Sequence, residues 1–216
     1  MVSEQTLRRW IRDVRRGHRR PGTLVDQLKR LPFEPMGFAR FDTHRRLRRG
    51  LPDLVARLAA LPLLRDLSLT TNGLLLAEHA AALRSAGLRR VNVSLDTLDP
   101  ATFRRLTRRS GLDAVLAGLA EARRCGLDPI KVNAVVIRGV NDHEIPDLVS
   151  FCRDRGFPLR FIEVMDAGNA NGWRPDLLVP AEEILGRIRE RFQLRPAGRA
   201  EPDAPAVAYR IEGGGE

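Results

Sequence analysis

Polar side chains that could bind a ligand follow two short apolar runs of this sequence. The first run ends in Leu69–Gly73, which reads Leu-Thr-Thr-Asn-Gly, and the second ends in Val91–Asp96, which reads Val-Asn-Val-Ser-Leu-Asp. Buried strands of parallel α/β proteins commonly deliver hydroxyl, amide and carboxylate groups to a site at their carboxyl ends. Two such strand ends, joined by one predicted helix, indicate a shared polar cleft.

A lysine lies within the third predicted strand. In residues 129–136, Pro-Ile-Lys-Val-Asn-Ala-Val-Val, the residues around Lys131 are apolar enough for a central strand. A lysine there needs an anionic partner or a route to solvent. An anionic ligand such as a phosphate or a carboxylate would supply that partner. Glu163, Met165 and Asp166 lie at the carboxyl end of the fourth predicted strand.

Each of these side chains also has a plain structural interpretation. Thr71 and Asn72 could cap the next helix, and Asp96 could cap a turn. Asn133 could be a core amide whose hydrogen bonds are satisfied, and Met165 could be core filler. For any one of them taken singly, the structural interpretation is favoured over a functional one; Lys131 is the exception, because a lysine in an apolar strand needs an anionic partner or a route to solvent.

The elements that position these residues alternate between helix and strand from Leu51 onward. Asp99 is the predicted N-cap of a helix that starts at Pro100, Gly87 is the predicted end of the preceding helix, and Asp142 is a predicted N-cap. The other predicted helices span 51–61, 75–86, 112–124 and 142–155, and the strands span 66–71, 90–95, 130–137 and 159–164.

Strands separated by helices predict parallel βαβ units, which occur in open doubly wound sheets and in (β/α) barrels. The sequence contains no G-x-G-x-x-G or Walker loop, which disfavours an open nucleotide-binding sheet. We therefore predict an α/β fold of the partial (β/α) barrel type, preceded by a short helical N-terminal segment.

Length, charge and cysteine content restrict the class of protein. The chain has 216 residues, and no apolar run approaches the roughly 18 residues that span a bilayer. Cys125 and Cys152 lie on predicted helices without metal-ligand spacing, as expected in a reducing compartment. Together with a start that lacks a signal-peptide pattern, these features predict a cytoplasmic, globular protein without a membrane partner.

The net charge of +10 is concentrated at one end of the chain. Residues 1–50 contain 14 Lys and Arg against 5 Asp and Glu, so the remaining residues are almost neutral. The arginine-rich runs have few aromatic residues between them that could stack on bases. Solvated helix faces are therefore favoured over a nucleic-acid partner.

Longer motifs resemble one known family. The motifs follow one another in order at residues 69–76, 86–98, 131–142, 160–165 and 169–173. The chain from about Leu47 to Arg210 thereby resembles the MoaA family of GTP 3′,8-cyclases, which are radical S-adenosylmethionine lyases of molybdenum cofactor biosynthesis.

The resemblance implies a partial radical SAM barrel and conversion of GTP to (8S)-3′,8-cyclo-7,8-dihydroguanosine 5′-triphosphate. The implied cofactors are S-adenosylmethionine and 4Fe–4S clusters, and a homodimer is compatible with the family. The resemblance further implies that Thr70 and Lys131 bind GTP, and that Ser94 and Met165 bind S-adenosylmethionine.

The chain also departs from the family pattern. The family's Cys-x-x-x-Cys-x-x-Cys loop, which holds a 4Fe–4S cluster, and its C-terminal cluster cysteines do not occur here, and Asp42–Arg46 replaces its Gly-Gly-Glu-Pro motif. We therefore assign no catalytic residue and no metal ligand, and expect the chain to be inactive alone. The alternatives are a non-catalytic nucleotide-binding or interaction module, including one that pairs with a separate cluster-bearing chain, and a chimeric gene remnant.

The first quarter of the chain has a different resemblance. Helices are predicted at 3–16 and 23–31, and residues 3 to about 52 resemble the N-terminal segment of the LarB family, carboxylases of nickel-pincer cofactor synthesis. That segment implies no activity by itself. The predicted domains are a basic helical LarB-like segment at 1–50 and a partial radical SAM barrel at 51–213.

Overall fold

The structure is a computed structural model, and it describes residues 38–43, 50–62, 64–163, 174–198 and 206–212, with the backbone alone for 38–43. The predicted helices at 3–16 and 23–31 lie outside these residues, as do Met165 and Asp166.

Strands and helices alternate along most of the described chain. The strands are β1 (Phe38–Thr43), β2 (Asp66–Thr71), β3 (Arg90–Ser94), β4 (Ile130–Val136), β5 (Leu159–Glu163), β6 (Leu194–Gly198) and β7 (Ala208–Ile211). The α-helices are α1 (Leu51–Ala59), α2 (Leu76–Ser85), α3 (Pro100–Thr107), α4 (Leu112–Arg124), α5 (Ile145–Asp154) and α6 (Ala181–Arg189). Short 3₁₀ helices occupy Asp142–Glu144 and Pro175–Leu177.

The chain divides into two compact units. The first unit contains the residues up to Asn92 together with Ala114–Pro129, and the second contains Val93–Asp113 together with the chain from Ile130. Strand β3 therefore begins in the first unit and ends in the second.

The first unit is built on β2. Strands β1 and β2 pair in parallel, with Phe38 opposite Asp66 and Thr43 opposite Thr71. After its first residue, β2 is buried throughout, which is typical of a parallel strand covered on both faces. Helix α1 buries Leu51, Val55 and Leu58, the spacing of one helix face.

Close backbone contacts tighten the first unit at two glycines. Gly87 ends α2 with a φ of +100°, and a Cβ there would lie 2.6 Å from the Cβ of Ala59. Within α4, a Cβ at Gly118 would lie 2.8 Å from the carbonyl oxygen of Gly73. Both positions require glycine because any side chain would collide with a neighbour.

The second unit is built on β4, which pairs in parallel with β5 from Val132–Leu159 to Val136–Glu163. Strands β6 and β7 form a separate antiparallel pair. One apolar cluster joins β4, α5 and α6; its buried members are Val136, Ile145, Val149, Val179, Ile184 and Ile188.

Most predicted elements are confirmed, with their bounds shifted by a few residues. Asp99 caps α3 as predicted, because its carboxylate accepts a 2.6 Å hydrogen bond from Thr102 N. Strands β1, β6 and β7 and helix α6 had not been predicted. None of the helices within the described ranges combines the length and the apolarity needed to cross a bilayer.

Two cap predictions are wrong. Asp142 opens the 3₁₀ helix, its carboxylate accepts from Gly139 N at 2.8 Å, and α5 begins only at Ile145. Thr71 and Asn72 do not cap α2, whose N-cap residue is Leu75. Their side chains close the turn after β2 by accepting from the next-but-one backbone N–H groups, a local alternative to helix capping.

Candidate functional site

In the first unit, Thr70 is the candidate that lies at a strand end. It is the penultimate residue of β2 and only 4% exposed. The Asn92 side-chain amide donates a 3.2 Å hydrogen bond to the Thr70 hydroxyl. The side chains of Thr71 and Asn72 hold the turn that follows Thr70 at the carboxyl end of this buried strand.

In the second unit, Ser94 and Asn133 lie side by side. Val91 N donates to Pro129 O, and Leu95 N donates to Asn133 O at 2.9 Å. The two donors are four residues apart, and so are the two acceptors, so the two segments run parallel. In a parallel pair of strands, the residue that precedes the N–H donor lies opposite the residue whose carbonyl accepts, so Ser94 lies opposite Asn133. Ser94 and Asn133 therefore share one side of the sheet.

Lys131 lies on the same side of β4, because it is two residues from Asn133 and side chains alternate along a strand. Lys131 is half-buried, as is Ser94. The structure thus groups Ser94, Lys131 and Asn133 on one side of the parallel strands β3 and β4. Thr70 belongs to the other unit, and Met165 lies outside the described residues.

Asn133 is unusual because its side-chain oxygen is not satisfied. The residue is 6% exposed, and within the described part of the chain its Oδ1 has no hydrogen-bond partner. The prediction of a satisfied core amide is therefore wrong for this oxygen. A buried unpaired acceptor costs about 1–3 kcal/mol, so this one marks a place where a ligand donor would bind favourably.

Ser94 adds a hydroxyl to the same place. Among the described residues, its side chain makes no hydrogen bond. A hydroxyl can both donate and accept, whereas the Asn133 oxygen only accepts. Together they match a polar ligand group such as a hydroxyl pair or an amino group.

Two positions after Ser94, Asp96 is tied to β4. Its carboxylate accepts a 2.8 Å hydrogen bond from Val135 N. Burial raises the pKa of Asp96, and the bond from Val135 opposes that rise only in part. The predicted role of Asp96 as a turn cap is replaced by a hydrogen bond from the backbone of β4. Sequence reasoning missed three further polar residues around it, Thr97, Asn141 and Glu144, because their partners are distant in the chain.

The sequence profile of the Radical SAM superfamily matches residues 11–152. This chain belongs to the radical SAM superfamily. The match begins within the basic N-terminal segment and covers most of the alternating strands and helices. Membership confirms the predicted fold class, an α/β partial barrel of the radical SAM type. The cofactors that the resemblance implies, S-adenosylmethionine and a 4Fe–4S cluster, are those of this superfamily.

The chain is similar to several curated GTP 3′,8-cyclases. It is 53% identical to that of Acidothermus cellulolyticus over 169 residues, which is 78% of this chain and 47% of the relative. It is 50% identical to that of Xanthomonas campestris pv. campestris strain B100 over 69% of this chain and 44% of the relative. It is 48% identical to that of Streptomyces coelicolor over 78% of this chain and 50% of the relative. The chain thus spans about half the length of these relatives.

The cysteines of this chain do not fit a 4Fe–4S cluster. The whole sequence holds two cysteines, fewer than the three of the family loop. The half-buried Cys125 thiol lies 3.3 Å from Glu121, and burial raises its pKa; burial raises the pKa of Cys152 to about 12. Cluster ligands are thiolates, which raised pKa values disfavour. Within the described residues, no group of three or more His, Cys, Asp or Glu could hold a metal ion.

Proposed function

We propose that this chain is a GTP 3′,8-cyclase relative of molybdenum cofactor biosynthesis that retains a nucleotide- and S-adenosylmethionine-binding cleft. Thr70 and Lys131 are the GTP contacts of the proposal, and Ser94 and Met165 are the S-adenosylmethionine contacts. The protein acts in the cytoplasm, and a homodimer is its proposed assembly. The names of the curated relatives support GTP as the substrate.

The buried Asn133 oxygen is the observation that carries the proposal. A protein interior leaves few acceptors unpaired, and those that persist often belong to binding sites. Here the unpaired acceptor stands beside Ser94 and two residues from Lys131, on one side of the sheet. A ligand with hydroxyl or amino donors and an anionic group would match the chemistry of these three side chains, and nucleotides and S-adenosylmethionine both belong to that class.

In this family, S-adenosylmethionine and a reduced cluster together supply a carbon-centred radical. The two cysteines present here do not fit the cluster, so no radical step is assigned to this chain. Its own residues bind and orient: Lys131 offers a cation to an anionic group, and Ser94 and Asn133 offer hydrogen bonds to a polar one.

The count of cysteines favours a second candidate function. In this alternative, the chain is a non-catalytic nucleotide-binding module that works beside a separate chain bearing the cluster. Both candidates predict GTP binding. They differ in whether S-adenosylmethionine is cleaved once a cluster-bearing chain is added, because only the second candidate depends on such a partner.

Calorimetric titration with GTP tests the binding site. We expect Lys131→Ala to weaken GTP binding about 10- to 100-fold, the range for loss of a hydrogen bond to a charged group. The matched control is Arg105→Ala, which removes an exposed cation from α3 in the same unit and should leave the affinity unchanged. Absence of GTP binding by the wild type, or equal losses in both variants, would refute the proposal.

A further inference from the structure

The segment that follows Ser94 is bonded residue by residue to the end of β4 and the turn after it. Leu95 N donates to Asn133 O, and the Asp96 carboxylate accepts from Val135 N. The Asp96 carbonyl accepts a 2.6 Å hydrogen bond from the side chain of Asn141. Each step along this segment is therefore fixed to one neighbouring stretch of chain in the second unit.

Glu144 completes the attachment through its carboxylate. The Thr97 hydroxyl donates to Glu144 Oε1 at 2.6 Å, the length of a strong charge-assisted hydrogen bond. The backbone N–H groups of Leu98 and Asp99 donate to Oε2 at 2.8 and 3.3 Å. The Thr97 hydroxyl in turn accepts from Asp99 N at 3.0 Å. One side chain thus satisfies the backbone of the turn that links Ser94 to α3.

The chemistry of this attachment is unusual for a core. Glu144 is 7% exposed and Thr97 is fully buried. No cation pairs with Glu144 within the residues that the structure describes. Burying a carboxylate is costly compared with apolar packing, and its hydrogen bonds must be met with good geometry. Such a group specifies one arrangement of the chain around it.

We propose that Thr97 and Glu144 are positioning residues that hold the 94–99 segment in the form that presents the Ser94 hydroxyl to S-adenosylmethionine. This inference rests on the proposed function of Ser94. Asn141 supports the same segment. Its side chain donates to Asp96 O and to Val135 O and accepts from Ile137 N, so it links the segment to the end of β4. The turn after β4 thereby acts on the ligand site without touching the ligand.

The test compares two substitutions of Thr97 in the full 216-residue chain. Thr97→Val removes the hydroxyl and keeps the shape, whereas Thr97→Ser keeps the hydroxyl. Thr107→Val is the matched control, because the Thr107 hydroxyl also donates to an oxygen, Phe103 O at 2.7 Å, and accepts from a backbone N–H, that of Arg109. Titration calorimetry with S-adenosylmethionine and amide hydrogen exchange of residues 94–99 are measured for each protein in its folded range.

We expect Thr97→Val to weaken S-adenosylmethionine binding about tenfold and to speed exchange of the Leu98 and Asp99 amides by a similar factor. Thr97→Ser should restore both values, and Thr107→Val should change neither. A purely structural role would lower the denaturation midpoint of Thr97→Val and leave the affinity of the folded protein unchanged. If Thr97→Val does not fold, Glu144→Gln replaces it in the test, because the glutamine amide retains one of the two acceptor oxygens. We then expect Glu144→Gln to bind S-adenosylmethionine less tightly than the wild type does.

The outcomes separate the two proposals. Wild-type binding together with equal affinity in Thr97→Val would overturn the positioning role and leave the proposed function intact. No binding of S-adenosylmethionine by the wild type would overturn the proposed function, and the positioning role with it.

Discussion

At the residue scale, two buried asparagines of one unit have opposite roles. Asn141 is fully buried, and its side chain makes three hydrogen bonds, to Asp96 O, Val135 O and Ile137 N. Asn133 is similarly buried, but its oxygen has no partner among the described residues. The first amide holds the fold together, whereas the second leaves a buried acceptor unpaired, which lowers stability.

This contrast predicts opposite effects of the same substitution. Asn133→Leu removes an unpaired acceptor with little change in shape, so we expect the free energy of unfolding to rise by about 1 kcal/mol. Asn141→Leu strands three backbone groups, so we expect a loss of about 3 kcal/mol or more. Urea denaturation of both variants measures the difference. A loss of stability in Asn133→Leu as large as that in Asn141→Leu would show that the Asn133 oxygen is satisfied in solution.

At the element scale, the distance between α4 and the turn after β2 is set by Gly118. The closest atoms to a Cβ there would be Gly73 O at 2.8 Å and Leu76 Cβ at 3.0 Å. The turn that carries Thr71 and Asn72 thus rests directly on the helix backbone. The position of that turn at the end of β2 depends on this contact.

Alanine substitutions at two helical glycines test the contact. Gly118→Ala should lower the free energy of unfolding by about 1–3 kcal/mol, the cost of overpacking against rigid backbone. Gly186→Ala in α6 is the matched control: nothing lies within 4 Å of its added Cβ. There the better helix propensity of alanine should raise stability by up to about 1 kcal/mol. Equal effects of both substitutions on the thermal midpoint would contradict the close approach.

At the scale of the whole molecule, the chain has the sequence motifs of the family but lacks the cysteines that hold the family's iron–sulfur clusters. It spans about half the length of its curated relatives, and its positive charge is concentrated in residues 1–50. The LarB-like segment at 1–50 and the barrel at 51–213 stay predictions, since residues 1–37 and 44–49 lie outside the described ranges. Binding of nucleic acid by the basic segment would reveal itself as salt-sensitive retention on DNA.

The cysteine content predicts the behaviour of the isolated 216-residue chain. After reconstitution with iron and sulfide under reducing conditions, we expect no formation of 5′-deoxyadenosine from S-adenosylmethionine, because two cysteines cannot supply the three thiolates of the family loop. Chromatographic detection of 5′-deoxyadenosine measures this, with an intact GTP 3′,8-cyclase as the positive control. Turnover by the isolated chain would refute both the inactivity and the need for a cluster-bearing partner.

The sequence alone determined the features that depend on neighbours along the chain. The alternation of apolar residues located β2, β3, β4 and β5, and Asp99 followed by Pro100 located the start of α3, because strand burial and helix capping are written in residues a few positions apart. The motifs were sufficient to assign the superfamily, which the profile match confirms. The sequence also predicts Ser94 and Lys131 as candidate ligand contacts.

Only the tertiary structure decided which polar groups are satisfied. Thr97 and Glu144 are 47 residues apart, Asp96 and Val135 are 39 apart, and no local pattern pairs them. The unpaired oxygen of Asn133 and its place beside Ser94 likewise depend on the register of two strands. Hydrogen-bond satisfaction belongs to the three-dimensional surroundings of an atom, which is why the sequence could not show the bond between Thr97 and Glu144 or the unpaired oxygen of Asn133.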